Sequence, residues 1–219
     1  MIWTKATIDQ DNAIYSDGIV AFIMKGVPNM DFMIGETPVT QALWTSIMGT
    51  NPSEGPTDPY LPVCNVSYPM VKEFIGRLNE ATGAFFRLPS AYEWEMAAKC
   101  GDKNYPYMYP GTDDFASLET GRAPVKKHAP NEIGLYCLTG NVMEWTGTII
   151  KIPENRDELT RNLFGLKPKV EPIYKEERIL KGGSSKHGKY TSHIKDNNHY
   201  PEDYRNDLTG FRLVMDKIC

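Results

Sequence analysis

The sequence predicts an α+β fold, and three observations carry that prediction. Residues 67–82, "SYPMVKEFIGRLNEAT", place Val71, Phe74, Ile75 and Leu78 at i, i+3, i+4 and i+7, one face of a helix. Two short runs, "FIMKGVP" and "MDFMIGE", are apolar and bounded by Gly and Pro, as short strands are. Beyond Gly101 no helical period recurs, and "KNYPYMYPGTDDF" and "GRAPVKKHAPNEIG" are dense in turn residues. Helices early and irregular β structure late make an α+β chain.

Each element has a local reason. "TQALWTSIMG" starts at Thr40, a helix-capping residue. It carries Ala42, Leu43 and Ile47 as a short apolar stripe and stops at Gly49. "NPSEGPTDPYLP" is a Pro-rich loop. In the 67–82 helix Ser67 can cap, Pro69 suits the first turn and Gly83 can close. "FFRLPSAYEWEMAAKCG" reads as a short strand and a third helix, with Ser90 and Glu93 in the spacing of a capping box. Residues 151–178 read as a long exposed excursion between two core pieces.

Composition bounds the function. The chain has 219 residues, 41% of them hydrophobic, which suits one domain spanning 1–219. The net charge of -4 argues against a nucleic-acid surface. The start of the chain has no basic stretch followed by an apolar one, so no secretory signal is read there. The expected location is therefore cytoplasmic or on a phage particle. Apolar runs such as "IVAFIM" are too short to span a bilayer, so no membrane insertion is expected. Cys64, Cys100, Cys137 and Cys219 are widely spaced, as reduced thiols are.

Six anchors then follow one another in order: "ETPVTQALWTSIMGTNPS", "PVCNVSYPMVKEFIGRLNEATG", "FRLPSAYEWEMAAK", "PNEIGLYCLTGNVMEW", "LKGGSS" and "GFRLV". Together they resemble the formylglycine-generating-enzyme, or sulfatase-modifying-factor, family. The resemblance implies a variant of the C-type lectin fold: two to three helices, small antiparallel sheets and much coil. A loop-rich domain must satisfy backbone groups with side chains. Arg87, Glu93, Asn141, Glu144 and Arg212 therefore read as members of a buried polar network, and Trp94 and Trp145 as core. Gly182, Gly183 and Gly210 suit close backbone approaches. The resemblance also implies a structural calcium site through Asn141, Val142 and Glu144 of "GNVMEW", with oxygen ligands on a tight turn.

The family's enzymes hold copper with a cysteine pair between the "GGS" and "GFR" anchors. Here that segment, 184–209, contains no cysteine, and without thiolates a Cu(I) site of that kind cannot form. Its three histidines, His187, His193 and His199, fall six apart, which is neither a strand nor a helix repeat. A metal site from them would need convergence that the spacing does not force. No family enzyme activity is expected, and no cofactor beyond the calcium.

Of the 26 residues 184–209, 17 are Ser, Thr, Asn, Asp, His or Tyr. Tyr gives large rigid contact area while Ser and Asn give adaptable hydrogen bonds, as in antibody paratopes. The segment resembles the diversified patch that variable proteins of diversity-generating retroelements display on a C-type lectin scaffold. Adenine mutagenesis of Asn codons reaches Asn, Asp, His, Tyr, Ser and Thr but not Lys or Glu. Lys186, Lys189, Lys195 and Glu202 would then be invariant. Ser185 stands where the enzymes usually carry Trp. The expected ligand-binding residues are Ser185, His187, Tyr190, Ser192, His193, Asn197, His199, Tyr200, Asp203, Tyr204, Asn206 and Asp207. The expected partner is a macromolecule, a protein or cell-surface receptor. Two other readings stay open: a noncatalytic structural or accessory member of the family, and an enzyme of unknown chemistry in the same pocket.

Overall fold

The computed structural model describes residues 2–9, 11–118, 121–155 and 171–217. Three helices and two small sheets make up the regular structure. The first sheet has the order β1-β2-β3-β4-β9, all antiparallel. Its strands are β1 (Thr4–Asp9), β2 (Asn12–Ser16), β3 (Ala21–Gly26), β4 (Phe32–Gly35) and β9 (Val214–Asp216). The second has the order β7-β6-β5-β8, from β5 (Met143–Pro153), β6 (Tyr174–Lys181), β7 (Asn198–Tyr200) and β8 (Thr209–Phe211). Its β5–β8 pair is parallel, a departure from the antiparallel expectation. The chain leaves β5 through β6 and β7 and returns to the opposite edge, so β8 enters in the direction of β5.

The helices are α1 (Gln41–Met48), α2 (Tyr68–Thr82) and α3 (Ala91–Ala98). The Thr40 hydroxyl accepts from Leu43 N, and Gly49 closes α1 in the left-handed region. The buried face of α1 differs from the expected stripe: Trp44 is 1% exposed, whereas Ala42 and Ile47 are half-buried. The Trp44 indole stacks on Phe74 at 5.1 Å, so the larger ring sets the face. In α2 the buried residues are Val71, Phe74, Ile75 and Leu78, as the period predicts. Ser67 occupies the capping position but its side chain caps nothing. The Tyr68 N–H donates instead to the Glu202 carbonyl, so a distant loop does the capping. The capping box at Ser90 and Glu93 is present in both halves.

The hairpin β1–β2 has no counterpart among the expected strands. Its signal is the alternation in β2, where Ala13 and Tyr15 are buried and their neighbours are not. Within the expected excursion at 151–178 the described arms pair, Pro153 with Tyr174, and the pairing runs back to Ile149 and Arg178. These arms extend β5 and β6 as an exposed ribbon; residues 156–170 lie outside the described residues.

Glu144 and Arg212 sit at the centre of the fold, with side chains 1% and 0% exposed. Glu144 Oε2 accepts from Trp94 Nε1 at 2.7 Å and from Arg212 Nε at 2.5 Å, and its Oε1 accepts from Arg212 Nη2 at 2.6 Å. Arg212 also donates to the carbonyls of Gly35 and Tyr136. Arg87 and Glu93, expected in the same network, form a separate one with Asp216, where the Arg87 side chain is 40% exposed. Arg87 lies beside β9 on the sheet's outer side, which leaves it in reach of water.

Arg212→Ala strands a buried carboxylate and should destabilise by roughly 3–5 kcal/mol. Trp145→Ala, which removes a fully buried ring and the bond to Val66 O, should cost about as much. Urea unfolding of the two variants checks both, and a midpoint within error of wild type for either contradicts this core.

Candidate recognition site

The 184–209 segment is clamped at its base. Gly182 and Gly183 turn the chain out of β6 at φ +86° and +63°, conformations that L side chains rarely adopt. Gly183 packs so closely on Ser192 that a Cβ there would overlap its hydroxyl. Ser184 is fully buried at one end and Thr209 at the other. Ser185 N donates to Asn141 O at 3.1 Å, and Asn65 N donates to Asn206 O at 2.7 Å. Lys181, 0% exposed, reaches under the segment. Its ammonium donates to Glu95 Oε1 at 2.9 Å, Asp196 O at 2.7 Å and Asn197 Oδ1 at 3.1 Å. Burial holds its pKa below the ordinary lysine range, against the pull of Glu95.

The expected site residues divide by what they touch. Tyr190 is 77% exposed, with the Lys189 ammonium 4.8 Å over its ring. His187 Nδ1 lies 2.8 Å from the Ser184 hydroxyl, and the His193 ring packs on Tyr109 at 4.9 Å. On the other side Tyr200 and Tyr204 stack at 4.0 Å and rest on the core, half-buried. His199 Nδ1 is 2.6 Å from Glu177 Oε2. Burial alone would raise the Glu177 carboxyl, but pairing with Lys175 and His199 outweighs it and holds the group low. Asp203 and Asn197 are exposed, and Asp207 bridges Lys186 at 3.0 Å.

Two members of the expected set are structural. Ser192 is 1% exposed, pressed beneath the Gly183 turn, and cannot face a ligand. Asn206 accepts from Leu208 N and donates to the Tyr204 hydroxyl, so its amide shapes the turn into β8. Two residues outside the segment join the surface: Arg178 stacks over Tyr68 at 4.2 Å and pairs with Glu202. Their distance along the chain hides them from any local pattern. The three histidines stay apart, each on its own partner. Among the described residues no three His, Cys, Asp or Glu side chains group to hold a metal.

The residues expected for calcium do not fit it. Both Glu144 oxygens already accept from the Arg212 guanidinium, a fixed cation that would repel a second one. Asn141 commits its amide hydrogens to Ala123 O and Cys137 Sγ and its backbone carbonyl to Ser185 N, while its Oδ1 accepts nothing among the described residues, so the misfit rests on Glu144. Excess calcium and excess chelator should therefore give the same melting midpoint. A calcium-dependent rise of several degrees would show that Arg212 yields its place.

Burial also lowers the His187 pKa. Its unfolded value is about 6.5, so the loosened segment binds a proton more readily than the ordered one. The His187 contribution is fully present above that value and is lost as pH falls through the lower folded pKa. The protection of the amides at 186–190, measured as exchange relative to the intrinsic rate at each pH, should fall on acidification below about pH 6.5, and His187→Gln should remove the fall.

Comparison with known proteins fits this architecture. The sulfatase-modifying factor enzyme 1-like domain matches residues 21–217. A formylglycine-generating enzyme from Thermomonospora curvata is 35% identical over 149 residues, covering 57% of this chain and 46% of that protein. The chain thus spans about half that relative's length. Among solved structures, Treponema denticola variable protein 1 superposes with a TM-score of 0.72 at 23% identity, over 94% of this chain and 99% of that one. The Major Tropism Determinant P3c variant superposes with a TM-score of 0.53 at 12% identity, over 99% of this chain and 55% of that one. The fold is of the C-type lectin type. With the match running over 21–217 and the buried Glu144–Arg212 pair built from two of the family's anchors, this chain belongs to the sulfatase-modifying factor enzyme 1-like family.

Proposed function

We propose that this chain is a noncatalytic recognition protein that displays a diversified surface, in the manner of the variable protein of a diversity-generating retroelement. Its ligand is then a macromolecule, a protein or cell-surface receptor. The observation that carries this reading is the separation of holding from display in 184–209. Buried groups, namely Ser184, Thr209 and the Lys181 ammonium, grip the segment, while Tyr190 and Asp203 are exposed. Binding residues are expected on loops that a rigid scaffold positions. The two fold neighbours, a variable protein and a tropism determinant, point the same way.

Charge positions support the reading too. Lys186 and Glu202, which adenine mutagenesis of Asn codons cannot reach, form ion pairs with Asp207 and Arg178. Such pairs suit fixed supports around variable positions. The absence of cysteine from 184–209 removes the family's copper ligands and favours binding over catalysis.

Sequencing the DNA around the coding region tests the proposal directly. A reverse-transcriptase gene and a near-duplicate of the 184–209 coding segment, with Asn codons opposite the Tyr, His and Asp positions, should lie nearby. Their absence overturns the retroelement reading. On the protein, Tyr190→Ala and Asp203→Ala should each cost within about 0.5 kcal/mol, and the double variant should keep a cooperative melt. Loss of folding would make the segment core structure instead of display.

A further inference from the structure

The β2–β3 hairpin is apolar on both faces. Ala13, Tyr15 and Met24 belong to its inner face and are buried in the core. Ile14 and Ile23 lie opposite each other in the register, with the other parity, so they face away from that core, and both are half-buried. An antiparallel sheet with one solvated face normally alternates apolar inward and polar outward. Here the outer face lines a groove of about 760 Å³. Ala42 and Tyr60, from the start of α1 and the loop before it, line it too, as do Pro124 and Val125. Val125 N donates to Tyr60 O and Lys127 N to Pro124 O, both at 2.9 Å, so backbone bonds fix these parts without a ligand. No residue of 184–209 lines the groove, which is separate from the recognition segment.

Charge at the groove is cationic in balance. Glu36 is the one carboxylate among the lining residues; it pairs with Lys126 at 2.5 Å and lies 3.9 Å from Lys25 Nζ. Lys127 lines the groove, is exposed, and makes no ion pair or side-chain hydrogen bond among the described residues. Two carboxylates nearby, Asp17 and Asp58, are outside the lining and accept from the backbone N–H groups of Ile19, Val20 and Tyr60. We propose that the groove binds an amphipathic carboxylate, a medium-chain fatty acid, with its alkyl chain on Ile14 and Ile23 and its carboxylate at Lys127. Small-molecule sites are concave, mostly apolar and carry few polar groups, with volumes of about 300–1,000 Å³; this groove meets each condition. Its lining is mostly aliphatic, so the body of the ligand is hydrocarbon, and covering the outer isoleucines removes apolar surface from water. One unpaired ammonium matches one negative charge, and the neighbouring lysines disfavour a cationic head.

Decanoate is the probe, followed by backbone amide shifts on the full chain. It should give saturable shifts at Ile14, Ile23, Val125 and Lys127. Octanoate, two methylenes shorter, should bind about tenfold more weakly. Decyltrimethylammonium keeps the chain, reverses the head charge and should bind at least about fivefold more weakly than decanoate. Lys127→Glu, at an exposed position, should keep the wild-type melting midpoint, weaken decanoate about fivefold and narrow its margin over decyltrimethylammonium. Ile23→Thr keeps a β-branched residue in the strand and should weaken decanoate about fivefold. Absence of saturable decanoate shifts at these residues overturns the site. Equal binding of octanoate overturns the seating of the chain, and equal binding of decyltrimethylammonium overturns the anionic head. Shifts at Ile14 and Ile23 on dilution of the protein alone, with none from decanoate, would make the face a contact between copies and overturn the proposal as well. Lys127→Glu tests the head and Ile23→Thr the chain, so either decides if the other variant fails to fold.

Discussion

The ion pair between Glu144 and Arg212 is the constraint on which the remaining structure depends. A carboxylate and a guanidinium with almost no solvent exposure are tolerable only if every donor and acceptor is used. That condition dictates the surroundings. The Trp94 indole must come from α3, the carbonyls of Gly35 and Tyr136 must close on the guanidinium, and β8 must lie parallel to β5 so that "GFR" reaches Glu144. Four distant parts of the chain therefore meet at one charge pair. In a fold with much coil this pair substitutes for the long ladders that would otherwise fix the register.

From that centre the recognition segment inherits its two fixed ends. Lys181 belongs to β6 beside Glu144, which is its register partner, and its ammonium carries order outward to Asp196 and Asn197. An ammonium has three donors, and all three are taken by the protein. A lysine so satisfied is a peg for the loop above it and has no free valence for chemistry. The Gly182–Gly183 turn works alongside it by letting Ser192 settle where a side chain would otherwise stand.

The helices were legible because each depends on residues close in sequence: the period of α2, the capping box of α3 and the Gly49 stop of α1 are all read within a few positions. What escaped depends on residues far apart. Ser67 looks like a cap, but the Glu202 carbonyl arrives from 134 positions away and takes the donor next to it. Ser192 and Asn206 have the composition of binding residues and the surroundings of structural ones, a difference that only packing decides. Arg178 and Tyr68 were invisible as site residues because β6 and the start of α2 become neighbours only after folding. The calcium expectation followed a motif whose Glu is already occupied by Arg212.

The segment itself is not uniform, and this bears on how such a surface could vary. Its second half is built on the scaffold: Tyr200 and Tyr204 stack on each other and on the core, and Asn206 caps the turn into β8. Changes there would disturb packing as well as recognition. Its first half, from Lys186 to Tyr190, is held mainly by backbone bonds and by the Ser184–His187 contact, and Tyr190 stands almost free of the protein. Residues that touch only solvent carry little of the folding free energy, so their identities can change at small cost to stability. Freely varied contacts therefore belong to the first half, with the stacked tyrosines as a preformed platform beside them. On the proposed reading, a rigid aromatic pair would lose little entropy on binding, and the more exposed half would adapt its hydrogen bonds to whatever the platform meets.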